Sequence, residues 1–194
     1  MENNGIIKKL NNGQFDFIKG SLSDSDKQII LHYLSVCSPL KFNKLNKNII
    51  DPELKAKTLF IALERYKPGI EWDNLIKDIC TSETNKLTNE LHYYPFIAAL
   101  SKKNLFLLEQ TLKGFDPQTL SVITCQGQSI SHWAIYFKYV PGYKYLKNYG
   151  IMDDIRNSRG QTILEYADSL NVSLNDKPQK ETKINIDQNN MSLF

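Results

Sequence analysis

The side chains best suited to covalent chemistry in this sequence are its three cysteines and three histidines. Cys125 and His132 lie seven residues apart across a predicted turn, and such a pair suggests a thiolate nucleophile with its general base. That mechanism requires a hydrogen bond between the two and a third group that orients the imidazole, and no pattern marks one. The cysteines are widely spaced and never form a C-x-x-C motif, which argues against a zinc site. The sequence therefore predicts no catalytic residue, no metal and no cofactor.

Composition narrows the classes of function further. The chain has 194 residues, of which 41% are hydrophobic and 23% charged, with a net charge of +3. Acidic and basic residues are interspersed, so no basic stripe for nucleic acid is evident. No apolar run is long enough to span a bilayer, and the N-terminus lacks the apolar region of a secretory signal. We expect a cytoplasmic protein that binds neither nucleic acid nor the membrane interior.

The elements that must position these residues are predicted to be helices throughout. Ser and Asp residues at capping positions start one helix over about 24–37, and the polar segment 39–48 is expected to break the chain. Asp51 is a predicted N-cap with Pro52 at the first helical position. A further amphipathic helix follows over 71–80. No stretch alternates as a strand would, so the predicted fold class is all-α.

A repeated phrase organises the second half of the sequence. The segments "YPFIAA", "SISHWA" and "TILEYA" align on Ala99, Ala134 and Ala167, which are 35 and 33 residues apart. The first two segments are followed by a second predicted helix with an apolar end and a glycine stop at Gly114 and Gly150. Each unit is therefore predicted to be a turn followed by two helices.

The chemistry of the phrase agrees with this interpretation. Gly127 and Gly160 provide a backbone conformation that residues with a Cβ atom avoid. Ser129 and Thr162 are placed to cap the first helix of their units. The repeat alanines are small, which lets neighbouring helices approach closely.

A unit of this length and order resembles the ankyrin repeat, whose consensus phrase is G-x-T-P-L-H-x-A. The resemblance covers about residues 89–170. The second unit matches at Gly127, Ser129, His132 and Ala134, and the third at Gly160, Thr162, Leu164 and Ala167. Ile130 and Ile163 stand where the consensus has proline, and the first unit retains Pro95 and Ala99.

The resemblance implies an ankyrin-like stack of two to three helix pairs. Residues 1–88 are then expected to form an N-terminal helical region that caps the repeats of 89–174. It also implies that the His132 ring hydrogen-bonds the turn backbone. The polar segment 175–194 has few large apolar residues and is predicted to be a disordered tail.

In such stacks the first helices and the projecting turns line a concave face. The residue before the repeat alanine is a frequent contact position, and Trp, Tyr and Arg are enriched in interface hot spots. The predicted partner-binding residues are Trp133, Tyr136, Phe137, Ile155, Arg156, Arg159 and Tyr166. The competing interpretation is that these aromatic residues belong to the core.

Two classes of function remain open at this point. The first is a protein-interaction module that binds a protein partner through the concave face. Asn, Lys and Ile are abundant, as in proteins encoded by AT-rich genomes. Together with the ankyrin resemblance, this composition suggests that the module is a bacterial effector that acts in a host cytosol. The second is an enzyme or enzyme regulator with an unrecognised site in the N-terminal region, where His32, Glu64 and Arg65 would have to converge.

Overall fold

A computed structural model of the chain describes residues 3–152 and 154–174. Across these residues it contains eleven α-helices, two short 3-10 helices and one two-stranded sheet, so the predicted all-α class is confirmed. None of the described helices combines the length and the apolar character that crossing a bilayer requires. The predicted tail, 175–194, lies outside the described residues.

Contacts divide the chain between Asp116 and Pro117 into two compact units. The domain boundaries expected from the sequence stay a prediction. The first unit contains α1 (Asn3–Asn11), α2 (Asp24–Val36), α3 (Pro39–Asn46), α4 (Pro52–Arg65), α5 (Ile70–Ile79), α6 (Pro95–Ser101) and α7 (Leu105–Thr111), with 3-10 helices at Asp16–Lys19 and Thr84–Lys86. The second contains α8 (Pro117–Val122), β1 (Thr124–Cys125), β2 (Gln128–Ser129), α9 (Ile130–Tyr136), α10 (Val140–Tyr149) and α11 (Ile163–Ser169).

Capping residues explain where the early helices begin. Ser23 and Asp26 form a capping box at the start of α2. The Asp51 carboxylate accepts a hydrogen bond from the Leu54 backbone amide at 2.9 Å, as predicted, and Pro52 is the first residue of α4. These caps satisfy amides that lack a partner within the helix.

Two expectations from the sequence are wrong. Residues 39–46 form α3 instead of a break, because Ser38 caps the helix and Pro39 occupies the first helical position, where proline is favourable. A short antiparallel ladder also joins Thr124–Cys125 to Gln128–Ser129. With two residues per strand, this ladder is too short to produce a visible alternation.

The sequence repeat is also a repeat of backbone geometry at the ends of α6, α9 and α11. Each helix is followed by a residue with positive φ, and these residues are again 35 and 33 positions apart: Lys103 (51°), Lys138 (51°) and Asn171 (53°). The next amide donates to the carbonyl of the repeat alanine in each case, with distances of 3.5, 2.9 and 2.9 Å for Ala99, Ala134 and Ala167. Three helices therefore end in the same way.

The turns that precede these helices repeat as well. Gly127 and Gly160 have φ of 72° and 75°, and His92 occupies the corresponding position of the first unit with φ of 60°. The Oδ1 atoms of Asn89 and Asn157 each accept hydrogen bonds from the backbone amides two and four residues later in the chain. The first turn thus keeps the geometry without the glycine, since His tolerates the left-handed region better than most residues.

The two turn glycines differ in their surroundings, which gives a matched pair of substitutions. A Cβ at Gly160 meets no atom within 4 Å, whereas a Cβ at Gly127 would lie 2.5 Å from the Ser158 Cβ. We expect Gly160→Ala to lower the free energy of unfolding by about 1 kcal/mol, because alanine is strained in a left-handed backbone conformation. Gly127→Ala should lower the free energy of unfolding further, because Ser158 must also move. Urea denaturation measures both, and a Gly127→Ala loss no larger than that of Gly160→Ala would contradict the close approach.

Candidate functional site

The candidate site is built on the C-terminal part of α9, where three aromatic residues follow one another at positions 133, 136 and 137. Ser129 caps the helix, while Ile130, Ala134 and Ile135 are buried beneath it. Positions three and four apart share a helix face. That spacing brings together Trp133, Tyr136 and Phe137, which we call the aromatic cluster.

The rings of the aromatic cluster are in mutual contact. Ring centroids are 5.3 Å apart for Trp133–Tyr136, 5.6 Å for Trp133–Phe137 and 5.2 Å for Tyr136–Phe137. Trp133 is 9% exposed and its indole N–H donates to the Cys125 carbonyl at 3.2 Å, which fixes the ring. Tyr136 is 46% exposed and Phe137 is half-buried. The cluster therefore has a fixed floor and an accessible upper part.

The turn before α11 carries Arg156 and Arg159, the two arginines predicted to bind a partner, and the structure gives them different roles. Arg156 donates to the Gly160 carbonyl at 2.6 Å and lies 3.5 Å from a Glu165 carboxylate oxygen, so it stabilises the turn. Arg159 is exposed and forms no ion pair with another described residue. Ile155 is half-buried. Of the two arginines, Arg159 is the one whose charge remains available.

Tyr166 on α11 packs against His132 of α9. The residue is 7% exposed, and its ring centroid is 5.5 Å from that of His132. Burial raises the pKa of Tyr166; the nearby Tyr136 hydroxyl adds to the rise, whereas the Arg159 guanidinium opposes it.

His132 joins the two parts of the site and is fully buried. Its Nε2–H donates to the Gln161 carbonyl at 3.1 Å, which leaves Nδ1 to accept the Ser129 hydroxyl proton at 2.7 Å. The implied hydrogen bond to a turn backbone is thereby confirmed. Because both ring nitrogens are engaged, the imidazole is not oriented to act as a base for Cys125, which is itself buried.

The N-terminal residues considered for an enzymatic site have other surroundings. His32 and Glu64 are exposed. Arg65 donates to the carbonyls of Leu34 and Cys37, and its guanidinium lies 5.2 Å from the Trp72 ring centroid. Arg65 therefore satisfies the C-terminal carbonyls of α2, a structural role. Nowhere in the described ranges do three His, Cys, Asp or Glu side chains gather as a metal site would require.

The structure thus divides the predicted binding residues into two groups. Trp133 and Tyr166 are largely buried and form the floor, and the accessible surface comes from Tyr136, Phe137 and Arg159. The burial of Trp133 agrees with the competing interpretation for that residue, and its hydrogen bond could not be predicted because the acceptor is a backbone carbonyl eight residues earlier. No protein-family model and no curated protein matches the chain.

The buried imidazole makes a pH-dependent contribution to stability. Burial lowers the pKa of His132 in the folded protein. At a pH between this lowered pKa and the ordinary histidine pKa near 6.5, the unfolded chain therefore binds more protons than the folded chain. We expect the free energy of unfolding to fall as the pH drops below about 6.5 and this fall to shrink in His132→Gln. Denaturant unfolding at two pH values measures it, with His32→Gln as the exposed control. Equal pH dependence in wild type and His132→Gln would contradict the burial argument.

Proposed function

We propose that this protein is a non-enzymatic interaction module that binds a protein partner through the surface of α9, α11 and the turn between residues 155 and 160. The observation that carries the proposal is the exposed Tyr136 ring, which packs on Trp133 and Phe137. Tyr, Trp and Arg dominate interface hot spots because they combine contact area with directional hydrogen bonds. Exposed aromatic clusters are uncommon on monomers.

Rigidity supports the same proposal. The Trp133 indole is held by the Cys125 carbonyl, and the turn that carries Arg159 is held by the Asn157 side chain. A surface whose side chains are already ordered loses less conformational entropy when a partner binds. The accessible part of the aromatic cluster is therefore suited to binding without rearrangement.

The ankyrin resemblance and the AT-rich composition extend the proposal to the cellular setting. Ankyrin-like stacks bind proteins through the first helices and turns of their units, and here those elements carry the aromatic cluster and Arg159. We propose that the chain acts in the cytoplasm, and specifically as a bacterial effector in the cytosol of a host cell. Affinity capture from a host-cell lysate, followed by mass spectrometry, supplies the partner for the tests below.

The exposed and buried aromatic residues should respond differently to truncation. Tyr136→Ala should keep the melting temperature while weakening binding of the captured partner by about 30-fold, since loss of a hot spot costs about 2 kcal/mol or more. Trp133→Ala should instead melt early, because emptying a buried aromatic site costs about 3–5 kcal/mol. Isothermal calorimetry and thermal melts measure the two effects.

Val122→Ala is the matched control, since Val122 is 73% exposed on α8 of the same unit. It should leave both binding and melting temperature unchanged. A Tyr136→Ala variant that is stable and binds the partner as the wild type does would remove the aromatic cluster from the interface.

A further inference from the structure

The last described helix exposes a face that its counterparts in the repeat bury. Three residues before the repeat alanine, Phe96 of α6 and Ser131 of α9 are both 1% exposed, whereas Leu164 of α11 is 61% exposed. One residue after that alanine, α6 and α9 carry fully buried apolar residues, and α11 carries the exposed Asp168. Residues four positions apart share a helix face. The face of α11 formed by Leu164 and Asp168, which we call the end face, therefore joins an apolar side chain to a carboxylate.

In the other two units a second helix packs against the first. Helix α7 contacts α6 and α10 contacts α9, and each second helix begins six residues after the repeat alanine. Among the described residues no helix follows α11. The eighth and ninth residues after the alanine are buried in both second helices, but Asn175 and Asp176 occupy these positions in the third unit. The residues next in the sequence thus lack the apolar face that a covering helix needs.

A surface cavity of about 500 Å³ lies beside the end face. Its lining includes Leu164 and Asp168 together with Ser173 and Leu174, the last two described residues. The chain therefore continues from the rim of this cavity, and twenty residues follow Leu174 in the sequence. Ten residues of extended chain span about 33 Å, whereas the seven residues of α11 span about 10 Å. The continuing chain is long enough to return to the end face.

We infer that the segment 183–186 of the same chain covers the end face, with Ile184 and Ile186 on Leu164 and the Lys183 ammonium beside the Asp168 carboxylate. After Leu174, Ile184 is the first aliphatic or aromatic residue in the sequence. Side chains two positions apart lie on the same side of an extended segment. For residues 183–186 this contact replaces the predicted disorder.

Charge distinguishes this segment from the later apolar residues. Asp168 forms no ion pair with another described residue. Lys183 directly precedes Ile184, whereas Met191, Leu193 and Phe194 have no basic residue within five positions. Burial of apolar surface drives the contact, and the ion pair selects the segment. The contact supplies the cover that a terminal unit of a repeat array requires, independently of the proposed function.

Methyl NMR spectroscopy of the full chain tests the inference. Nuclear Overhauser effects should connect the Leu164 methyl groups with those of Ile184 or Ile186. The double substitution Ile184→Ser and Ile186→Ser should shift the Leu164 methyl resonances, because the covering side chains are lost. Leu193→Ser with Phe194→Ser is the matched control and should leave these resonances unchanged.

A charge exchange tests the ion pair separately. Asp168→Lys should weaken the Leu164–isoleucine signals by up to about fivefold, as expected for an exposed ion pair. Addition of Lys183→Asp to Asp168→Lys should restore the signals. A double variant with signals as weak as those of Asp168→Lys would contradict the pairing.

Three further results would overturn the inference. The first is the absence of any signal between Leu164 and the two isoleucines. The second is a Leu164 shift that responds to the Leu193 and Phe194 substitutions and not to those of Ile184 and Ile186, which would assign the end face to the later segment. The third is a set of signals that disappears on dilution, which would assign the end face to a second copy of the chain.

Discussion

The candidate site depends on the two hydrogen bonds of one buried imidazole. His132 belongs to α9, which carries the aromatic cluster, and its Nε2–H holds the Gln161 carbonyl in the turn that carries Arg159. The Ser129 hydroxyl donates to the other nitrogen and thereby fixes the ring. Buried polar groups that are fully hydrogen-bonded rigidify and specify their surroundings. The aromatic and cationic parts of the surface are therefore positioned by the same residue.

The surface combines a fixed floor with a smaller accessible part. Trp133 and Tyr166 contribute mainly to packing, whereas Tyr136, Phe137 and Arg159 can reach a partner. Interface hot spots gain from residues that exclude water around them, even when those residues make little direct contact. The burial of Trp133 and Tyr166, which occupy equivalent positions of the repeat, thus agrees with the proposed binding as well as with packing.

Local sequence chemistry predicted those parts of the fold that depend on local interactions. The caps at Ser129 and Thr162 and the positive φ of Gly127 and Gly160 are present as expected. Helix α3 was missed because Pro39 is compatible with both a break and a helix start. The left-handed turn at His92 was missed because that residue type does not require the conformation. The backbone conformation at such positions is decided by the surrounding hydrogen bonds and not by the local propensity of the residue.

The predicted site residues show the same division. Their residue types and spacing point to α9 and the turn before α11, and this assignment stays a prediction. The separate roles of Arg156 and Arg159 depend on which guanidinium reaches Glu165, and the burial of Trp133 depends on the Cys125 carbonyl. Both contacts join residues eight or nine positions apart through the folded turn. No helical or strand period encodes them.

Amide chemical-shift mapping with the captured partner tests the central claim most directly. Titration of isotope-labelled protein should produce its largest shift changes at Tyr136, Phe137 and Arg159. The first unit should change little. Largest changes within residues 3–116, with α9 and the turn before α11 unaffected, would contradict the account.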